Sequence, residues 1–390
     1  MSFFANCREF EISGGEFREL EPTPTADVYA RLLLPRKHGF PLFHPAPCDD
    51  LPEPARRTGT QIGDVGVVTD DGSFDPIFNI LYPADDLANR FGVPADFEQV
   101  ILPPHDIRIR RLQHPPGTVL SNTAVGKKRL GLQASVGTNP IIRPWEEARE
   151  AKASTNSKQT ATVTLSLPDG ASISDLACQE AFRDYAMKHA KQWYAFVNDD
   201  LQRIIGHGSL YLITGVTKST SWRITTVENF LEKGEVSLKE AVPISAADAS
   251  WESESASSTF NYGPHPQSGE ETWQDNQTIF LRGFKVALRP PLGLGPACPR
   301  FEDTSNGEEW QEDCGPNMFH PLDIINQYIL DSVPDAVVAV THDDEWTSVL
   351  NESDDEFPED NELIKRISNK FDINSSSGTD YCPSFFIRWE

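Results

Sequence analysis

Two segments of this chain alternate apolar and polar side chains with a period of two, which ties them to one backbone conformation. Ala161 to Leu167 sets Val163, Leu165 and Leu167 opposite Thr162, Thr164 and Ser166, and Thr118 to Val136 has the same character with small or polar residues on one face. Only an extended chain sends successive side chains to opposite faces, so both read as amphipathic strands. One long helical stripe stands against them, running Leu176, Phe182, Tyr185, Ala186, His189, Trp193 and Phe196, mostly at spacings of three and four. It follows a turn at Asp169-Gly170, with Ser172 or Ser174 as its cap, and should lie on a sheet with His189 as a core histidine.

Further strands are expected at Phe10 to Ile12 before a Gly14-Gly15 turn, at Leu210 to Thr217, at Trp222 to Val227 and at Gln277 to Leu288. Val65, Val67 and Phe74, separated by Asp70-Asp71-Gly72-Ser73, predict a hairpin, and a short helical piece is expected over Asp199 to Ile205. A helix from Pro321 must stop before Pro334, and Ala336 to Val340 reads as a buried strand. The expected fold class is α+β, a mostly antiparallel twisted sheet with one long amphipathic helix and a smaller acidic C-terminal α/β region. Residues 1–290 form the main domain, with flexible loops about 146–160 and 241–276, and residues 291–390 the acidic region.

The 390 residues exceed one ordinary core, and 30 Pro with 25 Gly imply many turns. The first residues lack a basic segment followed by an apolar run, and no stretch of 18 uncharged apolar residues occurs, so a cytoplasmic protein is expected, possible recruitment to a membrane aside. Cys7, Cys48, Cys178, Cys298, Cys314 and Cys382 show no Cys-x-x-Cys pairing and read as reduced, mostly buried thiols, a Cys298–Cys314 disulfide being the alternative.

Charge is unevenly spread. Residues 1–145 hold 15 Lys and Arg against 18 Asp and Glu, whereas residues 290–390 hold 5 against 22. Arg108, Arg110, Arg111, Lys127, Lys128 and Arg129 run the other way, as a local basic patch suited to anionic lipid headgroups or as solvated strand ends. Nucleic acid is disfavoured as a partner, because aromatic residues do not interleave with the basic ones and the net charge of −25 repels phosphate backbones. An anionic membrane, or a basic protein drawn to the acidic region, fits better.

Signals for chemistry are sparse. His342, Asp343, Asp344 and Glu345 follow an apolar strand, either as oxygen ligands for a hard cation or as a solvated helix start with Asp343 as N-cap. Asp354-Asp355-Glu356 has the composition of a magnesium–diphosphate cluster, but Pro358 interrupts the helix it needs. Gly59, Gly63 and Gly66 suit hairpin geometry better than a phosphate loop, and no Gly-x-Ser-x-Gly elbow occurs. No cofactor is expected. If the chain has a pocket at the sheet end, His207, Tyr211, Trp222 and His342 are its candidate residues.

The run from Trp193 to Trp222, a helix broken at Gly206-His207-Gly208 and followed by Leu210-Tyr211-Leu212-Ile213-Thr214-Gly215, resembles the helix-to-strand passage of gasdermin and membrane attack complex/perforin-like pore formers. Over residues 55–290 that resemblance implies a central twisted sheet including 277–288. Segments 118–136 and 161–167 then stand where such proteins keep the hairpins they unroll into a membrane barrel. The style from Phe3-Phe4-Ala5-Asn6 through Glu11-Ile12-Ser13-Gly14-Gly15 to Phe284 is also similar to a family of cytosolic proteins of mushroom-forming fungi, a likeness that implies no activity. The leading expectation is a membrane-active, pore-forming-like or defence-related protein restrained by its acidic region. The alternatives are an enzyme or small-ligand-binding protein and a protein-interaction scaffold.

Overall fold

A computed structural model describes residues 10–13, 16–19, 25–122, 161–228, 257–264, 275–289, 318–376 and 384–389. The elements in chain order are β1 (Phe10–Ser13), β2 (Glu16–Glu19), α1 (Thr25–Leu33), β3 (Phe40–Pro41), α2 (Glu53–Thr58), β4 (Asp64–Val68), β5 (Phe74–Asn79), β6 (Ile107–His114), β7 (Thr118–Ser121), β8 (Ala161–Leu167) and β9 (Ala171–Leu176). Then follow α3 (Glu180–Ala195, prolonged as a π turn over Phe196–Asp200), β10 (Leu210–Ser219), β11 (Trp222–Glu228), β12 (Ser257–Gly263), β13 (Gln277–Leu288), α4 (Pro321–Ser332), β14 (Val338–His342), α5 (Asp343–Val349), α6 (Asp360–Ser368), β15 (Phe371–Ser376) and β16 (Ser384–Trp389). The fold is α+β and its strand pairs are antiparallel, with β14–β16 the one parallel pair among the described residues.

Ten strands form one sheet, whose main path runs β15-β16-β14-β13-β10-β4-β5, and four more form a second sheet in the order β12-β11-β8-β7. The central strands of the large sheet are covered on both faces, so β10 and β13 are buried along nearly their whole length instead of alternating between core and solvent. Leu210, Leu212, Phe284, Val286 and Val340 face α3 through Phe182, Ala186, Ala190, Trp193 and Val197. Tyr211, Ile213, Leu281 and Ala339 point the other way, into a core shared with α1, α4 and the inner face of the small sheet at Val163, Leu165 and Leu167. Those three residues are buried while Thr162, Thr164 and Ser166 stay part-exposed, as their alternation dictates.

Several expectations need correction. Leu176 ends β9, so the helix begins at Glu180 with Gln179 as its N-cap, and Ser172 and Ser174 are strand residues. The π turn closes at Asp200, and the chain from Gln202 to Ile205 is not helical. Within the stretch 241–276, Ser257–Gly263 is a strand pairing along all of β11. Cys178 is exposed and Cys48 half-buried. The hairpin at 64–79 forms as expected, with Gly72 at φ 80 closing the turn against Thr69. The loop 146–160, Lys127, Lys128 and Arg129 and the rest of the segment beyond Asn122, Cys7, Cys298, Cys314 and Cys382 lie outside the described residues. The acidic region shares the main sheet, since β14 pairs with β13 from Phe284↔His342 to Leu288↔Val338.

One buried carboxylate joins this region to the sheet. Asp343, fully buried, accepts from the Trp346 Nε1 at 2.7 Å, from the Gly283 amide at 2.8 Å and from the Tyr211 hydroxyl. Burial raises its pKa against the pull of the His342 charge and of these hydrogen bonds. Asp343→Ala should destabilise the protein by about 3–5 kcal/mol in urea denaturation, since each orphaned buried donor costs roughly 1–3 kcal/mol. A change under about 1 kcal/mol would show that this junction is not needed.

Asp64, also buried, accepts from the Gln61 amide and from Asn79 at 2.7 Å each, yet burial outweighs these bonds and pushes its carboxyl up to about 6. The folded state therefore holds this proton more tightly than the unfolded chain does, and stability from this group falls as pH rises from about 4 through 6. Measured against Asp64→Asn, the wild-type urea midpoint should gain as pH drops from 7 to 4.5. A pH-independent difference would contradict this.

Candidate functional site

The large sheet forks at β10. Its first residues, Leu210 to Leu212, pair with β4, and Gly215 to Lys218 pair instead with β9, while β13 runs along the other edge throughout. At the fork the register against β13 shifts between Ile213 and Gly215, leaving Thr214 as the extra residue of a bulge. A bulged residue leaves the ladder and its side chain is re-aimed. Thr214 Oγ1 here lies 2.7 Å from His342 Nε2.

Beside this bulge lies a polar cleft of about 290 Å³, lined by β6, β9, the approach to α3, the bulge and the start of α5. Four positions stand abreast across its floor, Arg108, Asp175, Gly215 and Arg282, each in register with the next. Gly215 has no side chain, so Asp175 and Arg282 meet over it, with Arg282 Nε donating to Asp175 Oδ1 at 2.8 Å. A Cβ at Gly215 would collide with that carboxylate and sit 2.9 Å from Arg282 Nε. Arg282 Nη1 is anchored on the His38 carbonyl at 2.9 Å and on Thr217 Oγ1 at 3.1 Å. Arg282 and Asp175 thus neutralise one another. Arg108 and Arg110, two apart on β6 and so on one face, are exposed and have no hydrogen-bond or ion-pair partner among the described residues.

The far wall is acidic. Asp344 Oδ2 accepts from Gln179 Nε2 at 3.0 Å, and its other oxygen has no hydrogen-bond partner among the described residues. Partial desolvation by the cleft walls works against its ionisation, although the side chain is exposed, but hydrogen bonds from His342 and Gln179 with the charges of His342 and Arg282 prevail and hold its carboxyl at about 2. His342 Nδ1 lies 3.1 Å from the Asp344 amide and 3.4 Å from its carboxylate. Neutral, the ring accepts that amide and caps α5 while its Nε2–H donates to Thr214; protonated, it pairs with the carboxylate. His342, and not Asp343, is therefore the N-cap, and Glu345 completes a capping box by accepting from the His342 amide at 3.0 Å.

Of the residues singled out in the sequence, the cleft gathers His342, Asp344, Arg108 and Arg110. Tyr211 is buried with its hydroxyl on Asp343, and Trp222 is buried with Nε1 donating to Gln277 at 3.0 Å. His207 packs its half-buried ring near Tyr194, and Arg111 is exposed on β6. Asp343 spends both oxygens on the fold and Glu345 its Oε2, and no cluster of three or more His, Cys, Asp or Glu with metal-ligand geometry occurs among the described residues. No helix among the described residues is long and apolar enough to cross a membrane. Sequence reasoning missed Asp175, Gln179, Thr214 and Arg282. Two signals were present, an arginine inside the apolar run Ile279-Phe280-Leu281-Arg282-Gly283-Phe284 and a glycine inside an apolar strand at Gly215, which often marks a close approach.

No protein-family model matches this chain, and no curated protein matches it.

Gly215→Ala should cost about 1–3 kcal/mol in urea denaturation by forcing Asp175 and Arg282 apart. The double change Gly215→Ala with Asp175→Ala should recover part of that loss. A neutral Gly215→Ala would mean that the bridge over the glycine is not tight.

Proposed function

We propose that the cleft at the sheet fork binds a small anionic molecule. The observation that carries this reading is the pair of guanidiniums at Arg108 and Arg110, both unpaired among the described residues, opening on a space whose third arginine is already neutralised by Asp175. A planar guanidinium matches carboxylate and phosphate oxygens two at a time, and hydrogen bonds to charged groups are each worth about 1.5–3 kcal/mol. The volume sits at the lower edge of the roughly 300–1,000 Å³ of ligand pockets, so the ligand is small. Both nitrogens of His342 are engaged by the fold, which favours binding over acid–base chemistry.

Titration of the full chain with inorganic phosphate or glutarate, read by calorimetry and by melting temperature, should show saturable binding. Arg108→Gln with Arg110→Gln should weaken it at least tenfold while leaving the melting temperature of the free protein unchanged, because both side chains are exposed. Equal binding by the double variant, or none by the wild type, rejects the reading.

A second reading, membrane activity, is favoured by the outer side of the same strand. Ile109 is 64% exposed and shares that side with Arg111, on a strand that is at the sheet edge among the described residues. Basic residues near an anionic surface contribute about 1 kcal/mol each, and the likeness to pore formers points the same way. Restraint by a removable acidic region fits this fold poorly, because removing residues 290–390 would strip β14 from β13. Wild-type protein should sediment with phosphatidylserine vesicles and not with phosphatidylcholine vesicles, and Ile109→Ser with Arg111→Gln should abolish this. Failure of the wild type to sediment with either rejects it.

A further inference from the structure

The charges around the cleft specify more than an anion. Resting on the anion-binding reading, we infer that the ligand is an aminodicarboxylate, a zwitterion with two carboxylates and one ammonium. Arg282 and Asp175 cancel, which leaves two cationic groups, Arg108 and Arg110, facing one anionic group, Asp344. Arg108 stands in register with Asp175, but that carboxylate is held by Arg282, whose Nε donates to Oδ1 at 2.8 Å with Nη2 in ion-pair contact at 2.6 Å, and no hydrogen bond or ion pair joins Arg108 to it. Arg108 is therefore available to a ligand.

Asp344 is oriented for a similar purpose. Gln179 fixes one oxygen at 3.0 Å, and the exposed side chain leaves the other oxygen for a donor from solvent or ligand. A simple anion entering this space would meet Asp344 as a like charge, which opposes it. A ligand carrying an ammonium turns that repulsion into a charge-assisted hydrogen bond. Its two carboxylates then match the two free guanidiniums, and the charges of ligand and lining balance. A five-carbon aminodicarboxylate fits within about 290 Å³.

The test compares L-glutamate with glutarate, which has the same two carboxylates and no ammonium, by calorimetry on the full chain near pH 7. L-glutamate should bind at least tenfold more tightly. Asp344→Asn should weaken glutamate and strengthen glutarate, so that the preference disappears. Because Asp344 is exposed and the change is isosteric, folding is checked by melting temperature, and Gln179→Leu, which unfastens the carboxylate without removing its charge, should reduce the preference in part. Glutarate binding as tightly as glutamate, or a preference that survives Asp344→Asn, overturns the aminodicarboxylate assignment while the anion-binding reading stands. If glutarate, phosphate and glutamate all fail to bind, both fall together.

Discussion

The buried carboxylate of Asp343 is the point at which three parts of the chain are held in one arrangement. Tyr211 reaches it from β10, the Gly283 amide from β13 and Trp346 from α5, so one side chain satisfies three donors that would otherwise be buried without partners. A carboxylate removed from water is tolerated only when its oxygens are filled in this way. His320, itself buried and kept neutral chiefly by burial and then by the Lys285 charge, stacks on Phe40 and brings Nε2 to 3.7 Å from the same carboxylate. The acidic last quarter of the chain is therefore built into the sheet through a specific polar junction.

That junction also sets the site. Asp343 opens α5, and the residues on either side of it, His342 and Asp344, are the ones that face the cleft. With β14 and the helix start fixed by Asp343, His342 is held against the bulged Thr214 and Asp344 against Gln179. On the opposite wall, Gly215 lets Arg282 cross to Asp175, and β6 then brings its arginines alongside through β9. The cleft is thus a by-product of two irregularities in otherwise regular strands, a bulge and a glycine, which is where sheets commonly host binding sites.

Local pattern made much of the scaffold legible. The alternation of Val163, Leu165 and Leu167 with hydroxyl residues appears as β8 with the same limits, and Gln277 to Leu288 appears as β13 end to end. The helical stripe coincides with the helix from Phe182 to Phe196, whereas Leu176, six residues before Phe182 and off the spacing of three and four, ends strand β9. β12 was unreadable for a related reason. Ser257 to Gly263 has a loop-like composition and becomes a strand only because β11 offers it a free edge. The site was half visible, through the charge of Arg108 and Arg110 and the cluster at His342.

Period, turn chemistry and charge by themselves determined the strand class, the long helix, the hairpin at Asp71-Gly72 and a basic segment set against an acidic one. These depend on residues near one another in sequence, whose sterics and solvation are the same in any fold. Tertiary structure alone decided that Asp343 would be a buried junction and Asp344 an exposed wall, though the two are adjacent and chemically identical. It alone placed Arg108, Asp175, Gly215 and Arg282 in one row from four strands. Register between strands far apart in sequence is fixed by the packing of whole faces, and no local pattern encodes it.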